Sequence, residues 1–153
     1  MGKSMKILVC GCRDWGVVHK EHRANPRLDC ELCARAYAEA ATLNDALCEF
    51  DGCAEYEHLK LIHGACPTGA DALADSFARW LGWEVARCPA QWKVDGKLDR
   101  SAGPRRNQLM LDTERPDIVI AFWDGKSRGT MDMMSRAAAA GLRVEVTGTR
   151  RAT

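Results

Sequence analysis

Four short segments of this sequence set glycine beside cations, hydroxyls or amides, the groups that recognise a phosphate. They are Gly11-Cys12-Arg13-Asp14-Trp15, His63-Gly64-Ala65-Cys66-Pro67-Thr68-Gly69-Ala70-Asp71, Gly103-Pro104-Arg105-Arg106-Asn107 and Asp124-Gly125-Lys126-Ser127-Arg128-Gly129-Thr130. In the first, Gly11 permits a sharp turn and Arg13 offers a planar fork of donors suited to phosphate or carboxylate. A surface Arg13 paired with Asp14 reads the same residues equally well. The second and fourth are glycine-bracketed turns entering helices, where free backbone N–H groups and the helix dipole favour an anion. Tight turns capped by Thr68, Asp71 or Thr130 are the alternative, and neither segment is a Walker A loop or a GxGxxG fingerprint. The third places Arg105 and Arg106 in a first helical turn, which the dipole disfavours unless an anion lies there. Arg106 is therefore expected to contribute about 1.5 to 3 kcal/mol to ligand affinity, as a hydrogen bond to a charged group, with little effect on folding. Trp92 either stacks on a ligand ring or packs against a helix.

A second constellation is His19 and His22 followed by Cys30 and Cys33, H-x2-H and then C-x2-C. Two imidazoles and two thiolates suit a structural tetrahedral zinc, and the segment from about 17 to 33 has few apolar residues, so a metal could order it. The competing reading has solvated histidines, Cys33 on a buried helix face, and Cys48 and Cys53 as rival thiols.

These residues need a scaffold that brings distant loops together. Aliphatic runs at Lys6 to Cys10, Leu59 to His63, Val85 to Cys88, Ile118 to Phe122 and Arg143 to Val146 read as five strands, covered on both faces as parallel strands are. Between them, Ala36/Ala40/Leu43/Leu47, Leu73/Phe77/Leu81 and Met131/Met134/Ala138 have the spacing of buried helix faces, and a shorter helix is expected from about Arg105 to Asp112. The order predicts an α/β fold, a Rossmann-like three-layer α/β/α sandwich with a mainly parallel sheet of about five strands. Such sheets bind ligands at the carboxyl ends of their strands. All four phosphate-type segments fall there. Gly16 to Cys33 and the polar stretch Gln91 to Gly103 fit this scheme least well.

The 153 residues suit one domain, 1–153. With 22 basic and 21 acidic side chains the net charge is +1, so no overall field draws the chain to nucleic acid or an anionic membrane. No apolar run approaches the ~20 residues of a membrane span, and Met1 to Ser4 lead into a strand rather than a signal sequence. A cytoplasmic protein is expected, with its eight cysteines as thiols or metal ligands rather than disulfides.

Taken together, GCRDW, HGACPTGAD, PAQW, AGPRRNQLM and AFWDGKSRGTMDM resemble the YspA-related branch of the SLOG superfamily over about Lys6 to Val146. The resemblance implies binding of a nucleotide or nucleotide-derived phosphorylated ligand. Carried over, its binding residues are Gly11, Arg13, Asp14, Gly64, Thr68, Gly69, Asp71, Trp92, Arg106, Asn107, Gly125, Gly129 and Thr130. The sequence departs from that pattern at Cys12, at Pro67-Thr68, at Asp124-Gly125 and in the longer 17–33 segment. In the wider superfamily the LOG phosphoribohydrolases pair a helix-start arginine with PGGxGTxxE. Arg106 matches that arginine, and Gly129-Thr130 match the GT. Met133 stands at the glutamate, so N-glycosidic hydrolysis of a nucleoside monophosphate requires Asp132 to act instead. The superfamily also contains the DNA-processing protein DprA, whose GLARGID resembles HGACPTGAD, and a single-stranded nucleic-acid-binding module is the alternative. Near-neutral charge weighs against it. Relatives commonly dimerise, and Met131, Met133 and Met134 either form such a homodimer surface or fill core gaps.

Overall fold

In the computed structural model, which describes residues 2–147, alternate side chains of the central strands are buried on opposite faces and split the core in two. The expected domain, 1–153, extends past this range, and Met1 and residues 148–153 lie outside the described residues. Strand β1 (Lys3–Gly11) pairs in parallel with β2 (Tyr56–His63) on one side and β6 (Ile118–Phe122) on the other. Strands β3 (Glu84–Arg87) and β7 (Arg143–Thr147) flank them, giving the order β3-β2-β1-β6-β7, parallel throughout. Ile7, Val9, Leu61, Ile120 and Phe122 face helices α1 (Glu31–Cys48) and α2 (Ala70–Trp80). Leu8, Cys10, Ile62, Val119 and Ala121 face α3 (Ala102–Glu114) and α4 (Arg128–Ala139).

This is the expected Rossmann-like three-layer sandwich. The chain moves outward from β1 through β2 to β3, then returns to the other side of β1 at β6. The loops after β1 and β6 therefore flank a topological switch point, where open parallel sheets leave a crevice.

Several expectations need correction. Helix α4 buries Thr130, Met133 and Ala137, whereas Met131 is exposed. Its many apolar residues offer several stripes, and Thr130 can go inside because its hydroxyl lies 3.0 Å from Ser127 Oγ. The deepest face of α2 is Ala70, Ala74 and Ala78, with Leu73, Phe77 and Leu81 only partly buried beside it. Helix α3 begins earlier than expected, with Pro104 in its first turn, where no backbone donor is needed. The polar stretch before it holds a small hairpin, β4 (Lys93–Val94) and β5 (Lys97–Leu98), around Asp95-Gly96. Both turn residues have positive φ, 50° and 76°, as a two-residue hairpin turn of the primed type requires. Among the described residues no helix is long and apolar enough to cross a membrane.

Candidate functional site

At the carboxyl edge of the sheet the strand-end loops enclose a cavity of about 680 Å³. Of the residues singled out above, Gly11, Arg13, Gly64, Asp71, Trp92, Arg106, Asn107, Gly129, Thr130 and Asp132 line it. Asp14, Thr68, Gly69 and Gly125 do not. Thr68 Oγ1 instead donates to the Arg13 carbonyl at 2.7 Å. Gly69, at φ +79°, lies so close to the first loop that a Cβ there would stand 2.2 Å from the Cys12 oxygen. Both residues fasten the first loop to the second.

The second loop is not a set of free amides. Asp71 Oδ2 accepts from the N–H groups of Gly64 and Cys66 at 3.1 and 3.2 Å, and the Ala65 N–H donates to His63 Nδ1 at 3.0 Å. A carboxylate at the N-terminus of α2 supplies the negative charge that an outside anion would otherwise bring. Burial pushes the Asp71 carboxyl above its ordinary value, opposed by His63, the two amides and Arg106.

Because His63 Nδ1 accepts a hydrogen bond, its proton sits on Nε2 and is donated to Asp75 Oδ2 at 2.7 Å. Asp75 also accepts from Arg79 and Arg87. Arg87 beside it, with His63 and Arg79, holds its carboxyl far below the usual range against the opposing effect of burial. His63 is thus a satisfied core histidine.

Arg106 serves structure as well as charge. Its Nη1 donates to the carbonyls of Gly64 and Cys88, and its Nε to Asn107 Oδ1. A Cβ on Gly64 would stand 2.3 Å from the guanidinium, so a larger residue there would displace Arg106. The expectation that Arg106 is dispensable for folding is therefore corrected: it ties the ends of β2 and β3 to α3. Buried Asn107 donates to the Gly129 carbonyl and, at 2.9 Å, to Asp132 Oδ2, which also accepts from Arg136. Burial opposes ionisation of Asp132, but Arg136 and Asn107 outweigh it and hold the carboxyl below its ordinary value. Its charge is engaged within the protein.

In the fourth loop Asp124 Oδ1 accepts from the Lys126 and Ser127 N–H groups. The N-cap of α4 is Ser127, not Thr130. Gly125 turns the chain at φ +81°, and a Cβ on Gly129 would meet nothing within 4 Å. Trp92 packs its ring edge on Gly103 and has the Arg13 guanidinium 5.8 Å from its centre. Trp92 thus packs on α3 while remaining part of the cavity wall.

Two cations on the cavity escaped the sequence reading, Arg100 and Arg128. Arg128 lies within the fourth segment, while Arg100 follows the hairpin that the Asp95-Gly96 pair could have signalled. The proposed metal residues do not line the cavity. His19, His22 and Cys30 place ligand atoms within 4.8 Å of one another, and Cys33 Sγ lies 3.5 Å from His22 Nδ1.

The architecture defines the chain as a Rossmann-like α/β protein. Among solved structures it is similar to the Moco carrier protein from Chlamydomonas reinhardtii, with a TM-score of 0.56 and 14% identity over 97% of this chain and 79% of that one. No family model and no curated protein matches the sequence.

Proposed function

We propose that the cavity binds a nucleotide or nucleotide-derived phosphorylated small molecule, and that the protein is a binder of this ligand rather than a hydrolase. One observation carries this reading. Arg13, Arg100, Arg106 and Arg128 all line the cavity, and among the described residues none is paired with a carboxylate, unlike Arg79, Arg87 and Arg136. Guanidinium groups with no carboxylate in ion-pair contact around one concavity suit phosphate oxygens, which they grip two at a time, although Arg106 also feels the nearby Asp71. The volume lies within the usual range for a small-molecule site, and Pro89, Ala90 and Met110 give it an apolar wall.

The binding role is favoured by Asp132. An ionised carboxylate held by Arg136 and Asn107 has no proton to give a leaving group at neutral pH, and both partners stabilise it against accepting one. The Moco carrier, similar in fold, is named for carrying a small molecule, which is in keeping with this reading but adds no residue to it.

Calorimetry with nucleoside monophosphates, ADP-ribose and dinucleotides, followed by chromatography for released base, tests the proposal. The expected result is saturable binding of at least one compound with no base released. Release of base would make the protein a hydrolase. Failure of every compound to bind, with single-stranded DNA binding that weakens steeply in salt, would favour the nucleic-acid alternative.

A further inference from the structure

The segment between the first loop and α1 has defined geometry but no fully buried apolar side chain to hold it. Its two ends are fixed. Trp15 is buried and donates from Nε1 to the Glu39 carbonyl, and Cys33 is fully buried on the inner face of α1. Between these two, no residue is buried, and Leu28 and Leu32 point outward. A short 3-10 turn at Lys20–His22 and an extended Cys30 at the N-cap of α1 nevertheless gather His19, His22 and Cys30, with Cys33 against His22.

We infer that His19, His22, Cys30 and Cys33 form a structural zinc site. Bonds of about 2.3 Å to sulfur and 2.0 Å to nitrogen at tetrahedral angles put a thiolate and an imidazole nitrogen about 3.5 Å apart. Cys33 Sγ and His22 Nδ1 are 3.5 Å apart, and His19, His22 and Cys30 keep their ligand atoms within 4.8 Å of each other. A second observation is independent of these distances. His19 Nδ1 is buried with no hydrogen-bond partner, a costly state for a ring nitrogen that a metal bond relieves. The rival thiols are excluded by the length of α1: Cys48 stands at its far end, about 22 Å from Cys33 at 1.5 Å per residue, and Cys53 lies beyond it. Four protein ligands leave no place for water, so the site orders the segment and performs no chemistry.

The test uses the full chain, purified without a metal-binding tag, for elemental analysis, then stripped with chelator and refilled with Zn²⁺ or Co²⁺. One zinc per chain is expected, and with cobalt the thiolate charge-transfer and d–d bands of a tetrahedral site. Cys33 is too deeply buried for a clean variant. Cys30→Ser and His22→Ala should each lose most of the bound metal, while Cys48→Ser keeps a full equivalent. Zinc should also slow tryptic cleavage after Arg23 and Arg27 at least tenfold. A metal ratio near zero both as purified and after refilling, or a full equivalent retained by Cys30→Ser, would overturn the assignment. Equal cleavage rates with and without zinc would overturn its ordering role.

Discussion

Two arginine-bearing regions share the Ala65-Cys66 turn as a common wall, and they differ in how their charge is met. On one side Arg79 and Arg87 converge on Asp75, which also takes the His63 proton, so every guanidinium there faces a carboxylate. On the other side Arg13, Arg100, Arg106 and Arg128 surround the cavity, while its two carboxylates, Asp71 and Asp132, are held by backbone amides and by Arg136 and Asn107. The arginines of the two regions thus have different work. A neutralised cluster holds α2 against β2 and β3, whereas the other keeps its guanidinium groups out of ion-pair contact with carboxylates, as the proposed anion site requires.

The largest effect should come from the closed side. Asp75→Ala leaves the buried His63 donor without its acceptor, while the half-exposed Arg79 and Arg87 can turn to water, and should cost about 2 to 3 kcal/mol in denaturant unfolding, the upper part of the range for an orphaned buried donor. Ligand affinity of the folded fraction should stay unchanged. The carboxyl of Asp75 lies below its ordinary value in the fold. Its stabilisation is therefore fully present above the unfolded-chain value of about 3.9 and is lost as pH falls from there through the lower folded value. The variant should show a shallower acid transition. A loss under 1 kcal/mol with an unaltered acid limb would break the contrast.

On the open side, Arg128→Ala should weaken a phosphorylated ligand by about 1.5 to 3 kcal/mol and leave stability within about 0.5 kcal/mol, as surface substitutions do. Arg106→Ala should lose affinity and stability together, because it also bonds Gly64 and Cys88. Paired calorimetry and urea melts separate the two cases. Equal stability losses for both variants would erase the distinction between rim and clamp.

The smallest effect concerns Asp71, faced by His63 and Arg106 and raised chiefly by burial. Asn at this position keeps the acceptor for Gly64 and Cys66 but removes a negative charge from the cavity wall. Asp71→Asn should bind a phosphorylated ligand more tightly at neutral pH, by about tenfold for each unit the anion would raise the wild-type carboxyl. The advantage should vanish as pH falls through the Asp71 value, because the wild-type group is then neutral too. Isotherms across that interval that show no convergence would remove Asp71 from contact with the ligand.

The strands were legible because Ile7 to Cys10 and Ile118 to Phe122 are apolar at consecutive positions, which only a doubly covered strand allows. Helix faces were less so. Asp71 and Asp75 lie on the buried face of α2 because His63, Arg87 and the loop amides meet them, and those partners are remote in sequence. Alanine and methionine at half of the twelve positions of α4 blur its period, so packing against Leu8 and Val119 selects Met133 where spacing alone could not. In the site, the convergence of four loops followed from strand order. The engagement of Asp71, Asp124 and Asp132 by nearby donors did not, since spacing shows which groups can meet and not which are already satisfied.

Met133 is 1% exposed and sits in the core between α4 and the sheet. In the resemblance drawn from the sequence, it stands where the phosphoribohydrolase pattern has glutamate. A carboxylate introduced there would be buried among Leu8, Cys10 and Val119 with its charge unmet, at a cost of several kcal/mol, comparable with the whole stability of a small domain. The packing beneath the cavity therefore resists a simple Met133→Glu exchange. A carboxylate could enter at this position only if the α4 side of the sheet were first reopened to water or given a partner for the charge.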